Sequence, residues 1–432
     1  MQRRLRALLI AEAANPEWVS VPLVGWSVAN ALREVADVHL VTQIRNRKAI
    51  LRTGMAEGSD FTAIDSEKIA MPLWKLASKL RMGKSAGWTI NQFITSFSYG
   101  YFERLVWRRF GPAIRAGEYD LVHRLTPLSP AVNSSLATKC ARAGVPFLLG
   151  PINGGVPWPP GFASEQRRER EWLSNVRGLY RFRPARARML RAASAILCGS
   201  RFALAEIPKQ YSNKTIYLPE NAIDPARFNQ TAPQNGRLPL RVCFVGRLVP
   251  LKGVDMALTA MAPLLRSGAL TFDIIGDGSQ GQALRNQVER EGLPGVTFHG
   301  WQDHQKVQSI AATCQLFLFP SIREFGGGAV LEAMSLGVVP VVLNYAGPGE
   351  LVDDSTGYRI PLGSRAEVIA ALSGILQSIA DDPAPLYAKA RAAQARVRAD
   401  FTWSAKAEQI LNLWQAVLDG QSPLPQVMRL PD

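Results

Sequence analysis

Short apolar runs alternate with helix-spaced segments along both halves of the chain. In the first half, the runs at 5–10, 38–42, 121–123, 147–150 and 195–198 are brief and bounded by polar or turn residues, as buried strands are. In the second half, the runs at 241–246, 271–276, 296–300, 316–320 and 339–343 repeat the pattern. Between them, segments such as 254–267 and 280–291 carry apolar residues at helical spacing. This alternation predicts parallel, doubly wound sheets covered by helices on both faces. The rhythm breaks once. Pro219-Glu220-Asn221-Ala222-Ile223-Asp224-Pro225 is rich in turn formers, and a polar stretch with Pro233, Asn235, Gly236 and Pro239 follows. That composition places a linker at 219–239, between one α/β domain over 1–218 and another over 240–402. The amphipathic pattern at 403–418 predicts a last helix, followed by a proline-containing tail.

The 432 residues, 47% hydrophobic and 20% charged, fit a folded chain of two domains rather than a disordered one. Cys140, Cys198, Cys243 and Cys314 form no CxxC pair, so they read as reduced core residues of a cytoplasmic protein, not as zinc ligands or disulfides. The apolar run after Arg3, Arg4 and Arg6 ends at Glu12, too soon for a signal peptide, and reads as a first buried strand. The longest apolar stretch, 326–343, is interrupted by Glu332, glycines and Pro340, so no transmembrane helix is expected. Charge changes the picture more. Residues 1–220 carry 32 Lys and Arg against 16 Asp and Glu, whereas residues 221–432 carry 18 against 19. Such asymmetry concerns partners, not fold.

Three glycine-marked loops follow strands of the second half, where open α/β sheets bind ligands. Gly246-Arg247-Leu248-Val249-Pro250-Leu251-Lys252-Gly253 places a guanidinium and an ammonium in one loop, both strong anion donors. A solvated basic loop is the alternative. Gly276-Asp277-Gly278-Ser279-Gln280-Gly281 satisfies G-x-G-x-x-G, but the acid expected about 20 residues on is missing. It reads as a close-approach loop for phosphate or nucleoside, with a tight turn as the alternative. Glu324-Phe325-Gly326-Gly327-Gly328 precedes a helical pattern that contains Leu331 and Glu332. Bare backbone N–H groups at a helix start form an anion site. A carboxylate there suits hydroxyls better than phosphate, with a helix-start charge favoured by the dipole as the alternative for Glu332.

The segment from Val242 to about Leu362 resembles glycosyltransferase family 4, also called glycosyl transferases group 1. The resemblance rests on Gly246-Arg247 with Lys252-Gly253, on Ile275-Gly276-Asp277-Gly278, and on the two glutamates separated by seven residues. Gly347-Pro348-Gly349-Glu350-Leu351-Val352 with Gly357-Tyr358, and Asn221 with Asp224, add to it. The resemblance implies the GT-B fold, two facing Rossmann-like domains with a deep interdomain cleft. It implies that the last helix, over 403–420, crosses back to the first domain. By the same resemblance Arg247 and Lys252 hold a donor diphosphate, Glu332 the ribose hydroxyls, and Glu324 the transferred sugar as a catalytic residue. Gly246, Gly276, Gly326, Gly327 and Leu331 complete the donor site. The implied activity is metal-independent, retaining transfer of a sugar from a nucleotide-diphosphate sugar to a glycan or lipid-linked acceptor. Bacterial cell-surface polysaccharide or glycolipid synthesis is the expected setting. No D-x-D sequence occurs, in keeping with protein cations in place of a metal, and no cofactor is expected. A GT-B nucleotide-sugar epimerase and a non-catalytic nucleotide-binding protein remain alternatives.

In the first half, Tyr119-Asp120-Leu121-Val122-His123-Arg124-Leu125 ends a strand. The family often has two histidines there, and the second is usually given the catalytic role. This chain has His123, the acceptor-side catalytic candidate, but Leu125 at the second position. The glycine pair that many relatives carry after the first strand is absent. Gly150, Gly154 and Gly155, with Asn153, are the candidate cleft-lining residues instead, and a plain turn is the alternative. Basic and aromatic residues gather at 73–115 and 167–191. They predict peripheral attachment to the anionic inner face of a cytoplasmic membrane, or a solvated basic surface. No nucleic-acid module is recognised.

Overall fold

The computed structural model describes residues 3–67, 87–168, 180–233 and 236–428. The chain packs into two units, one built mainly from Met1–Gly155, Arg170–Glu220 and Trp403–Arg429, the other from Val156–Glu169 and Asn221–Thr402. The first unit holds β1 (Arg6–Ala11), β2 (Asp37–Gln43), β3 (Phe61–Ile64), β4 (Leu121–Thr126), β5 (Phe147–Ile152), β6 (Ala195–Cys198) and β7 (Thr215–Tyr217). These pair in parallel in the order β3-β2-β1-β4-β5-β6-β7. Every residue of β4, β5 and β6 is buried, and so are the last five of β1. Helices cover both faces of such a sheet, so its strands need continuous apolar runs.

The second unit holds β8 (Leu240–Val245), β9 (Leu270–Ile275), β10 (Val296–Gly300), β11 (Leu316–Phe319), β12 (Val339–Leu343) and β13 (Tyr358–Ile360). Their parallel order is β10-β9-β8-β11-β12-β13. The ten strands expected from apolar runs are all present. The three that were not expected, β3, β7 and β13, are three or four residues long and each ends a sheet. An edge strand has one neighbour and needs little apolar length, so its sequence carries little signal.

The stretch at 219–239 is not a free connector beyond Glu220. Ile223 N–H donates to the Phe401 carbonyl at 2.8 Å, Ala232 N–H to the Leu336 carbonyl at 2.7 Å, and Gln315 Nε2 to the Pro233 carbonyl at 2.8 Å. All of these lie in the second unit. Residues 156–169, placed in the first domain by their position in sequence, also pack on the second unit. Turn composition marks where a chain bends but not which surface it then meets. The helix Trp403–Leu418 packs in the first unit, against the helix Val21–Val35.

Candidate functional site

In the second unit the strand order reverses between β8 and β11. Loops leaving the carboxyl ends of two such strands part in opposite directions and leave a crevice. Lys252, from the loop after β8, meets Glu324, from the loop after β11, in an ion pair. Lys252 is buried, and its ammonium stands 4.7 Å from the centre of the Phe319 ring. Glu324 is anchored through its main chain, whose carbonyl accepts from Gly347 N–H at 3.3 Å. The two residues are 72 positions apart, and the switch in strand order is what joins them.

Both loops enter their helices in the same way. Gly253 precedes the helix Val254–Arg266 and Gly327 precedes the helix Gly328–Ser335, each with φ 66° and neither with a side-chain cap. A left-handed residue at that place is natural only for glycine, and the uncapped turn leaves its N–H groups for an anion. Arg247 is exposed, and its side chain makes no hydrogen bond or ion pair among the described residues.

The loop after β9 has a different task from the one expected of it. A Cβ on Gly276 would overlap the Gly246 carbonyl oxygen, and one on Gly278 would overlap that of Leu248. Leu248 N–H donates to the Asp277 carbonyl and Gln280 N–H to the Leu248 carbonyl, each at 2.9 Å. These glycines allow one loop to lie on the other. Gly276 therefore supports the Gly246–Arg247 turn, and its open side faces protein backbone.

Glu332 lies in the second turn of the helix Gly328–Ser335. It is partly buried, and its carboxylate has no hydrogen-bond partner among the described residues. Burial pushes its carboxyl up to about 7, against the opposing pull of the Arg227 guanidinium. Leu331, expected at the donor site, has no exposed surface and belongs to the core beneath the helix. Gly326 and Gly327 lie against the helix Ala346–Leu351, where Gly347 approaches Phe325 and Gly326, and Gly327 approaches Pro348 and Leu351.

A segment from the first half of the sequence completes this region. Arg323, one residue before Glu324, donates from Nε to the Val156 carbonyl at 2.9 Å. Its guanidinium sits 5.3 Å from the Trp158 ring centre and 5.2 Å from that of Phe325. Tyr345 donates its hydroxyl proton to the Pro157 carbonyl at 2.9 Å. Farther along, Arg365 pairs with Glu165 at 3.4 Å and Asp255 at 2.7 Å. Sequence reasoning missed Arg323, Tyr345 and Trp158. The run Gly154-Gly155-Val156-Pro157-Trp158-Pro159-Pro160-Gly161, which cannot form a helix or an inner strand, was the available signal.

The first unit corrects the expectation for His123. Its side chain is fully buried on β4. Nε2 lies 2.8 Å from the Gly150 carbonyl, and Nδ1 lies 3.1 Å from Trp414 Nε1. The indole can only donate and the carbonyl can only accept, so the ring is neutral with its proton on Nε2. Burial lowers its pKa to about 4. With both nitrogens engaged, His123 fastens the helix Trp403–Leu418 to the sheet and has no lone pair for a substrate. Asn153 is likewise engaged, donating to Glu220 at 2.9 Å and accepting from Ser200 at 2.9 Å. Gly150 has φ 114°, where a Cβ would overlap the Leu197 carbonyl oxygen.

Of the basic clusters, Trp74, Lys75, Lys79, Arg81, Lys84 and the Trp88 side chain lie outside the described residues, as do Arg170 and Arg177. Among those described, Trp107 has Arg115 at 5.4 Å and Lys139 at 5.3 Å from its ring centre. Phe182, between Arg181 and Arg183, is 83% exposed. Among the described residues, no helix is long and apolar enough to cross a membrane.

The two Rossmann-like α/β units match solved structures along nearly the whole chain. HepE from Anabaena, solved with UDP, has a TM-score of 0.62 at 19% identity over 96% of this chain and 100% of its own. Its complex with UDP-glucose has a TM-score of 0.59 at the same identity and coverage. The chain thus has the GT-B fold. Residues 239–378 match the family described as Glycosyl transferases group 1. A glycogen synthase of Mycobacterium tuberculosis is 31% identical over 211 residues, 48% of this chain and 50% of that protein. The putative colanic acid biosynthesis glycosyltransferase WcaL of Escherichia coli is 28% identical over 204 residues, 45% and 50% of the two chains. The chain spans about half the length of the curated relatives it matches.

Proposed function

We propose that the protein is a retaining glycosyltransferase that moves a sugar from a nucleotide-diphosphate sugar to a glycan or lipid-linked acceptor, in bacterial cell-surface polysaccharide or glycolipid synthesis. The meeting of Lys252 and Glu324 at the β8–β11 switch point carries this reading. Arg247 and Lys252, with the N–H groups beside Gly326 and Gly327, hold the diphosphate. They stabilise the negative charge that grows on its oxygen as the glycosidic bond breaks. Lys252 leaves Glu324 for the phosphate, and the freed carboxylate accepts hydroxyls of the transferred sugar. Glu332 accepts those of the ribose. The acceptor oxygen bonds to the anomeric carbon as the diphosphate departs, and the acceptor's proton leaves with the diphosphate. Protein cations do this without a metal, so EDTA leaves turnover unchanged. The comparisons support the donor class: the HepE structures hold UDP and UDP-glucose, and the relatives named above are a glycogen synthase and a polysaccharide glycosyltransferase.

Release of nucleoside diphosphate from a panel of nucleotide sugars, with a membrane lipid extract as acceptor, tests the reading. One donor is consumed and its sugar appears in the lipid fraction. Return of that donor's epimer instead establishes an epimerase. Turnover of no donor, with nucleotides still bound, establishes a binding protein.

The same reading includes attachment to an anionic membrane through the first half of the chain. The surplus of cations there and the exposed ring of Phe182 between two arginines support it. Cosedimentation with vesicles containing anionic lipid, and none with neutral vesicles, is the expected result. Equal recovery in both supernatants removes this part of the reading.

A further inference from the structure

The two parallel sheets end in four outer strands, and the chain protects three of them. At β3, the Phe61 carbonyl accepts from Gly58 N–H at 2.7 Å, and Ala63 N–H donates to Glu57 Oε1 at 3.4 Å. At β7, the Gln426 carboxamide takes the place of a strand. It accepts from Tyr217 N–H at 3.2 Å and donates to the Thr215 carbonyl at 3.0 Å. β13 has three residues, with Arg359 at its centre. Covering, shortness and charge are the usual ways of closing a sheet edge.

β10 has none of these. It is the longest of the four, with five residues against four, three and three. Its sequence, Val296-Thr297-Phe298-His299-Gly300, holds no Lys, Arg, Asp, Glu or Pro, and His299 is bound to Asp273 at 2.7 Å. Thr297 is exposed and the others are half-buried. Phe272 N–H donates to the Gly295 carbonyl at 2.8 Å. Alternate residues of a parallel strand turn their main chain to the same neighbour. Thr297 therefore bonds to β9. Val296 and Phe298 turn their N–H and C=O groups outward, where they meet no partner among the described residues. Beside the strand lies the helix Gly281–Glu291, and its Arg285 guanidinium stands 4.4 Å from the Phe298 ring centre. Glu289, one turn on, shares that face of the helix. Both are exposed, and neither side chain has a hydrogen bond or ion pair among the described residues.

We infer that β10 pairs with β10 of a second copy, antiparallel about a two-fold axis through Thr297, and joins the sheets of the two second units into one. The strand is self-complementary in that register. Val296 stands opposite Phe298 of the second copy, and the two exchange their outward N–H and C=O groups. Thr297 stands opposite itself. Aromatic–β-branched and Thr–Thr pairs are among the favourable cross-strand pairs. Charge fits as well. A helix that connects parallel strands runs back against them, so Glu289 lies toward the Val296 end while Arg285 lies at Phe298. The axis that sets Val296 against Phe298 also sets Glu289 against Arg285 of the second copy, twice. The contact is small, so the dimer is weak, with Kd on the order of 10 µM.

Sedimentation velocity of the full chain between about 1 and 100 µM brackets such a Kd and tests the inference. The wild type passes from monomer to dimer across that range. Thr297→Lys sets two ammonium groups opposite each other at the axis, leaves the bonds to β9 in place, and stays monomeric. Glu289→Arg, on the exposed surface of the helix, weakens the dimer about tenfold, the scale of two exposed ion pairs turned repulsive. Adding Arg285→Glu restores it to within about threefold. Thermal melts verify that each variant is folded, and the helix variants carry the test if Thr297→Lys melts early. A wild type that stays monomeric throughout overturns the inference. So does a folded Thr297→Lys protein that dimerises as the wild type does, because another surface is then in use. A double variant as weak as Glu289→Arg alone also overturns it, because the two helices then do not face each other.

Discussion

The two units are built alike and use their polar residues in opposite ways. In the first, several buried polar groups are held by neighbours within the unit. His123 is held by Gly150 and Trp414, Asn153 by Glu220 and Ser200, and Glu103 by Ser134 and Ser135. In the second, Arg247 and Glu332 have no such partners, and Lys252 and Glu324 have chiefly each other. Buried polar groups that are satisfied internally lend order to a fold, whereas partly buried groups without partners carry a desolvation cost that a ligand can offset. Sheets of the same kind thus lie beside internally paired polar groups in one unit and beside the candidate donor-site groups in the other.

The largest test of this contrast is Glu324→Ala. Turnover of the donor falls by about a hundredfold or more, the scale for losing a group that acts on the reacting sugar. The far-ultraviolet spectrum is unchanged. Near-full turnover in this variant removes Glu324 from the chemistry. The counterpart in the first unit is Trp414→Ala, which empties a fully buried site and strips His123 Nδ1 of its donor. It costs about 3–5 kcal/mol of stability by denaturant titration, while nucleotide affinity at low temperature is unchanged. A variant that melts like the wild type contradicts the structural role given to His123 and Trp414.

Lys252→Ala is next. It weakens nucleoside diphosphate binding about tenfold, as loss of one charge-assisted phosphate contact does. Binding of the free nucleoside, measured alongside, is unaffected.

The last test is the pH response of Glu332, whose carboxyl is raised to about 7. A raised carboxyl favours the folded state while protonated. That contribution is complete below the ordinary carboxyl range and is lost as pH rises to and through 7. The ligand-free protein therefore loses on the order of 1–2 kcal/mol between pH 5 and 8, with allowance for solvent access. Glu332→Gln lacks this slope. Ionised Glu332 is the better acceptor for ribose hydroxyls, so nucleotide affinity rises over the same interval. A Glu332→Gln protein with the wild-type slope removes this residue as the titrating group.

The ten strands expected from apolar runs and the glycine-marked loops were legible because each depends on local signals. A buried parallel strand needs an apolar run, and a helix entered through a left-handed residue needs glycine, as at Gly253 and Gly327. Arg247, Lys252, Glu324 and Glu332 stood out as candidates because they are charged residues in glycine-marked loops or just beyond them. Leu331 shows the limit. It shares the motif with Glu332, yet its side chain is turned into the protein and is core.

The sequence alone therefore determined the alternation of strand and helix, the bend that follows Pro219, and the types of residue available for chemistry. All are short-range properties of backbone preference and burial. The tertiary structure decided what each residue meets. Strand order joined Lys252 to Glu324 across 72 positions, and Trp414 closed His123 across 291. Packing laid Val156 and Trp158 beside Arg323. It also turned the glycines of the β9 loop toward another loop's backbone. Such partners are set by how sheets twist and layers stack, and no window of sequence contains both members of a pair.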